Sequence, residues 1–274
     1  YEKYYDASDG SSLITTIDST VQAYVEKNLQ NAIDKYDIKN GAFCIVMDVN
    51  TGEIKAMATL GSYDPNNYLE IYDDTTALLL ENERAAALAL PEASAAYEAA
   101  IETYKQDVAA ARMAQWRNRC VSDGYEPGST FKLITLASAL DSGAVTLNDS
   151  FYCGGQEKFT GREQILNCWK SAGHGAQTTA QALGNSCNIA FGHIGLRMGG
   201  DTFYDYLKSF GVMEKTGVDL PGEASGLFYE RKYLNDPANY GTSYLITSSF
   251  GQSFRITPMQ LVRAVAAIVN GGYV

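Results

Sequence analysis

Ser129-Thr130-Phe131-Lys132, inside the run Tyr125-Glu126-Pro127-Gly128-Ser129-Thr130-Phe131-Lys132-Leu133-Ile134, constrains this chain more than any other segment. Pro127-Gly128 interrupts whatever precedes it, and Phe131, Ile134, Leu136, Ala137 and Leu140 recur at a helical period, so Ser129 opens a helix. Residues three apart on a helix are neighbours, which sets Lys132 beside Ser129. First-turn amides point toward any negative charge that forms there. A serine hydroxyl is too weakly acidic to attack an acyl group at neutral pH without a base in hydrogen-bond reach, and a lysine whose pKa is depressed by its neighbours serves. The bland alternative is a solvated helix end, because one S-x-x-K match has little specificity by itself.

The second informative segment is Gly184-Asn185-Ser186-Cys187-Asn188-Ile189-Ala190-Phe191. Serine and asparagine two apart cannot share a helix face, so Ser186 and Asn188 act in one cleft only from a turn or a helix junction. There Ser186 would relay a proton and Asn188 would hold an amide. Asn185-Ser186 reads equally as an N-cap before the apolar run 189–196.

With these two segments in place, the chain resembles the penicillin-binding proteins and serine β-lactamases, and more narrowly the transpeptidase domain of a class B penicillin-binding protein. The resemblance runs through Leu13-Ile14-Thr15-Thr16-Ile17-Asp18, Val21-Gln22, Ile45-Val46-Met47-Asp48 and Thr51-Gly52-Glu53-Ile54-Lys55-Ala56-Met57-Ala58. It continues in Tyr63-Asp64-Pro65-Asn66, Asn118-Arg119, His174-Gly175, Thr216-Gly217-Val218-Asp219-Leu220-Pro221-Gly222-Glu223 and Phe250-Gly251-Gln252. It implies an α/β (α+β) fold, an antiparallel sheet flanked by helices, with Ser129 as acyl-accepting nucleophile, Lys132 as its base, and Ser186 and Asn188 as the second catalytic motif. Ser129, Ser186 and Asn188 would also contact substrate.

The implied reaction is peptidoglycan D,D-transpeptidation through a serine acyl-enzyme, with stem peptides and β-lactams as ligands and no cofactor. The implied parent is anchored at the extracytoplasmic face of a bacterial membrane, in a cell-wall synthesis complex with a glycosyltransferase, and this chain is a soluble piece of it. A β-lactamase or D,D-carboxypeptidase would share Ser129 and Lys132 but would need an activated water, for which no residue is assigned. A β-lactam-sensing or scaffold domain would keep the fold without turnover.

The family's third motif, a Lys-Thr-Gly strand lining the cleft, has no match. Lys215-Thr216-Gly217 is a decoy, since Val218-Asp219-Leu220-Pro221 follows it and a proline so close argues for a loop rather than a strand. The expectation is therefore a domain lacking its C-terminal strands, slow or inactive as an isolated chain.

Composition agrees with one large globular body: 274 residues, 46% hydrophobic and 19% charged, with no low-complexity tract. A net charge of -11 works against nucleic acid and anionic lipid, both of which reward clustered Lys and Arg. No stretch approaches the roughly 20 consecutive apolar residues that cross a bilayer, and Tyr1-Glu2-Lys3-Tyr4 is not a signal peptide.

Five cysteines leave at least one thiol unpaired. Cys44, in an apolar strand, and Cys187, inside the second motif, read as small buried residues. Cys153 and Cys168 flank the Gly-rich segment 154–167, a candidate hairpin, and read equally as a bridge or as two free thiols. With only His174 and His193 and no Cys-x-x-Cys, a structural zinc site is not expected.

Punctuation gives the rest. Residues 1–17 form a linker and 18–274 the domain, with Asp18 or Ser19 capping a helix whose apolar positions run from Val21 to Tyr36. Segments 42–49 and 53–59 read as a hairpin whose first strand is apolar enough for burial on both faces. Segment 75–117 is Ala/Glu-rich and divided by Pro91 into two helices, an insertion read as a flap at the cleft mouth or a plain surface decoration. Further helices are expected at 131–140, 179–183, 189–198, 202–210, 244–248 and 257–269, the last with Pro258 at its first position. Trp116 and Trp169 read as packing residues, with a cleft role for Trp169 the alternative, and His193 reads as a satisfied helix residue rather than a ligand. A Ser/His/Asp triad on Ser129 is not needed when Lys132 is adjacent.

Overall fold

The computed structural model describes residues 10–39, 41–59, 61–92, 94–236 and 240–274. Residues 1–9 of the expected linker lie outside the described residues; 10–18 are exposed and without regular structure. Helix α1 (Ser19–Tyr36) starts where the Asp18 carboxylate accepts the Thr20 and Val21 amides, and stops at Asp37 in the left-handed region. Its Gln22 side chain exchanges hydrogen bonds of 2.8 and 2.9 Å with the Met57 backbone, which ties it to the first sheet.

That sheet pairs β1 (Phe43–Met47) with β2 (Ile54–Thr59) in antiparallel register, Phe43 opposite Thr59, with an irregularity between Val46 and Met47. The expected burial of β1 on both faces does not occur: Phe43 is exposed and Cys44, Ile45, Val46 and Met47 are half-buried. Among the described residues β1 pairs only with β2, and Ile45 and Met47 are only partly covered where they pack against Cys120, Val121 and Met259.

Two helices follow as the Pro91 break predicts, α2 (Asp74–Leu88) and α3 (Ala95–Gln115), packed on each other. Arg112, Gln115 and Trp116 at the far end of α3 donate to the Leu69, Glu70 and Tyr68 carbonyls and fix the hairpin to the loop before it. A short α4 (Arg119–Ser122) leads to a 3-10 turn, Gly128–Phe131, and α5 (Lys132–Asp141).

Strand β3 (Ser150–Cys153) pairs with β6 (Gly175–Thr178), and between them β4 (Gln156–Glu157) and β5 (Leu166–Asn167) form the hairpin expected inside 154–167. The remainder is helical: α6 (Thr179–Gly184), α7 (Asn188–Met198), α8 (Gly200–Ser209), α9 (Arg231–Leu234), α10 (Gly241–Ser249) and α11 (Pro258–Val269). Thr257 caps α11, with Gln260 returning a bond to the Thr257 amide and Pro258 at the first position.

The core centres on α7. Ile189, Phe191 and Ile194 are fully buried against Phe131, Ile134, Phe203 and Ile246, and each such side chain contributes about 1.5–3 kcal/mol by leaving water. Gly195 allows α10 to approach, since a Cβ there would come within 2.7 Å of the Ser249 Cβ. The two ends of this core meet at the site, because α5 begins at Lys132 and α7 begins at Asn188.

Lys215-Thr216-Gly217 is a loop, as its proline-bearing continuation predicts. Gly217 has φ +77°, and the Thr216 and Gly217 amides donate to the Glu223 carboxylate.

Candidate active site

Ser129 sits in the 3-10 turn that feeds α5, and the turn is held from behind. The Gly128 amide donates to the Gly251 carbonyl at 2.9 Å, Tyr125 bridges to Ile256, and the Glu126 carboxylate accepts the Ser253 amide at 2.8 Å. Gly251 has φ +84°, and a Cβ there would overlap the Gly128 carbonyl, so the approach admits only glycine.

Helical spacing then turns Lys132 inward while Ser129 stays exposed. The Lys132 side chain is 1% exposed, with its Nζ 3.0 Å from Ser129 Oγ, 3.0 Å from Ser186 Oγ, 2.9 Å from the Ser186 carbonyl and 2.7 Å from Asn188 Oδ1. The Ser186 hydroxyl donates to Ser129 Oγ at 2.9 Å. All four residues singled out in the sequence therefore share one hydrogen-bonded cluster.

The second motif is a helix junction. Asn185 closes α6, and Ser186 adopts φ +50°, a conformation uncommon for a residue with a side chain. The N-cap of α7 is Cys187, not the Asn185-Ser186 pair of the alternative reading: the left-handed kink turns the Ser186 side chain toward Lys132, and Cys187 Sγ accepts the Ala190 amide.

Burial pushes the Lys132 pKa down from 10.5 to about 8, although nearby Cys168 and Cys187 push the other way. Two of its neighbours, the Ser186 carbonyl and Asn188 Oδ1, are acceptors only. A neutral amine has two N–H groups, which these two oxygens take. Its single lone pair is then left for the Ser129 hydroxyl, because the Ser186 hydroxyl already donates to Ser129 Oγ.

No histidine replaces the lysine. His193 Nε2 meets Glu157 at 2.8 Å under the Phe159 ring, a satisfied helix residue as expected. His174 Nδ1 contacts Cys168 Sγ at 3.7 Å. Burial, and then Lys170 and Lys132, hold His174 below the usual imidazole range. Trp169, expected in packing, is 67% exposed; it lies edge-on to His174 and donates to the Asn185 carbonyl at 3.0 Å, at the rim of the second motif. Trp116 holds the Tyr68 carbonyl and tilts against the Tyr68 ring.

Sequence reasoning missed the close approach of Gly251 to Gly128 and a grouping of cysteines. Cys153, Cys168 and Cys187 are free, buried thiols, and their sulfurs lie with a His174 ring nitrogen within 4.8 Å of one another. The hairpin reading of 154–167 carried the signal, since it brings its two flanking cysteines together. A separate cavity of about 720 Å³, lined by Gln22, Met57, Tyr63 and Trp116 among others, holds none of the four site residues.

Residues 42–274 match the family model described as the penicillin binding protein transpeptidase domain. The chain belongs to that family. It is 34% identical over 272 residues to stage V sporulation protein D of Bacillus subtilis, covering 99% of this chain and 35% of the relative. It is 27% identical over 277 residues to peptidoglycan D,D-transpeptidase FtsI of Escherichia coli K12, covering 97% of this chain and 37% of the relative. The chain thus spans little more than a third of the curated relatives it matches. The fold is similar to the transpeptidase domain of Burkholderia pseudomallei penicillin-binding protein 3, with a TM-score of 0.66 at 23% identity over 94% of this chain and 58% of that one. The antiparallel sheets and surrounding helices agree with the mixed α/β class that the motif blocks imply.

Proposed function

We propose that this chain is the acyl-transfer module of a peptidoglycan D,D-transpeptidase that penicillins acylate at Ser129. One observation carries the reading: Ser129 Oγ, Lys132 Nζ, Ser186 Oγ and Asn188 Oδ1 form a single hydrogen-bonded group with its base buried and its nucleophile open. Neutral Lys132 takes the Ser129 proton as Oγ bonds to the carbonyl carbon between two terminal D-alanines. The ammonium returns that proton through Ser186 to the departing amine, the C–N bond breaks, and free D-alanine leaves an ester on Ser129. An acceptor amine attacks the ester, loses its proton to the same base, and restores the Ser129 hydroxyl. The Ser129 amide, at a helix start, is the natural first donor to the oxyanion, and loss of one such donor costs about 100–1000-fold in rate. Asn188 serves a substrate amide as well as the lysine.

On this reading residues 18–274 are transpeptidase sequence, the α2–α3 hairpin is an insertion on its surface, and the whole protein works at the outer face of a bacterial membrane beside a glycosyltransferase. No described helix is long and apolar enough to cross a membrane. The test uses full-length protein with a stem pentapeptide donor and a D-amino acid acceptor. Amide exchange in excess of hydrolysis, with slow release of bound penicillin, is the expected result. Hydrolysis alone, or rapid penicillin release, would transfer the assignment to a carboxypeptidase or a β-lactamase.

A further inference from the structure

Behind the second motif lie four side chains that acyl transfer does not use. Cys153 ends β3, Cys168 follows β5, His174 precedes β6, and Cys187 caps α7. We infer that Cys153, Cys168, His174 and Cys187 together form a tetrahedral zinc site.

The geometry fits. Zinc–sulfur and zinc–nitrogen bonds of about 2.3 and 2.0 Å give tetrahedral edges of about 3.6–3.8 Å between ligand atoms. The four ligand atoms here lie within 4.8 Å of one another, and Cys168 Sγ is 3.7 Å from His174 Nδ1. The three cysteines Cys153, Cys168 and Cys187 are 1%, 6% and 0% exposed as residues. His174 Nε2 is buried with no hydrogen-bond partner among the described residues, and Nδ1 meets only the soft Cys168 sulfur. Nδ1 is therefore the ring nitrogen placed toward the sulfurs.

The backbone is built to bring these groups together. Cys153 pairs with Gly175, next to His174, and the Cys168 amide donates to the Gly155 carbonyl at 2.8 Å. Gly155 and Gly173 both have positive φ, and a Cβ on either would overlap the backbone of Ser171 or Cys153 respectively. Chain crossings this close admit only glycine. A disulfide would use two of the sulfurs and leave the third sulfur and the imidazole unexplained.

Three thiolates and a neutral imidazole match zinc's preference for sulfur and nitrogen. Binding releases the thiol protons to solvent and couples metal affinity to folding. Cys187 lies between Ser186 and Asn188, so the ion would fasten the junction that carries both. The missing Cys-x-x-Cys spacing conceals the site, because its ligands come from two strand pairs and a helix start.

Full-length protein purified without chelator is expected to carry about one zinc per chain by elemental mass spectrometry. Its cobalt-substituted form should show a thiolate-to-cobalt charge-transfer band and the strong visible bands of a tetrahedral site. Cys153→Ser and His174→Ala should each weaken zinc affinity by about tenfold or more, while Cys44→Ser leaves it unchanged. If those variants do not fold, zinc titration of chelator-stripped wild type against a colorimetric chelator gives the same answer. Zinc below about a tenth of an equivalent after loading, with no cobalt bands, would overturn the site, whether the thiols then count as free or as a disulfide. None of these readouts depends on acyl transfer, so the site and the proposed activity stand or fall separately.

Discussion

At the scale of single residues, the working element is a lysine kept out of water. Burial disfavours its ammonium form and brings the pKa to about 8, so about a tenth of the molecules hold the neutral base at pH 7. Raising pH through 8 removes the proton. Penicillin acylation is therefore expected to quicken about tenfold between pH 6 and 7 and to level off above about pH 8.5. A stopped-flow profile that is flat over that range would contradict neutral Lys132 as the base. Lys132→Ala should slow acylation by about 100–10,000-fold, the usual worth of a positioned base. The Ser129–Lys132 contact was legible in the sequence because three-residue spacing on a helix leaves one arrangement. The Ser186 conformation was not, since a left-handed serine has no local signature and is imposed by the meeting of α6 and α7.

Among elements, the longer helices and the β1–β2 hairpin were legible, while β3 and β6 were not. α1, α3 and α11 carry their own punctuation in Asp18, Ser94 and Thr257, each accepting a first-turn amide. β4 and β5 have two residues each, too short to display an alternating pattern. Apolar composition suggested double-sided burial for β1, but burial depends on what packs over each face of the sheet, which composition does not encode. Thr257→Ala should cost about 0.5–2 kcal/mol in urea unfolding, since it removes the side-chain acceptor of a buried capping box. A change below about 0.3 kcal/mol would show that the cap contributes nothing. Gly251→Ala acts differently, forcing a Cβ onto the Gly128 carbonyl at positive φ. It should displace Ser129 and cut acylation by about 100-fold, as small misplacements of reacting groups do. Unaltered acylation in a folded variant would detach Gly251 from the nucleophile turn.

Over the whole molecule, one core holds the two segments of the candidate site in register, because α5 and α7 pack on each other and start at Lys132 and Asn188. Ile194, fully buried on α7, tests that coupling: Ile194→Ala should destabilise by about 2–5 kcal/mol. A smaller loss by denaturant titration would mean the site does not draw on this core. The acidic balance of -11 was readable at once and works against a polyanionic partner. Long-range assembly was less readable: residues 129, 132, 186 and 188 meet only through packing of elements distant in the chain. The most direct measurement is intact mass of full-length protein after incubation with a penicillin, for wild type and Ser129→Ala. A single covalent adduct on wild type, located at Ser129 by peptide mapping and absent from the variant, is the result predicted here. An adduct that survives Ser129→Ala, or none on either protein, would contradict the assignment of Ser129 as the nucleophile.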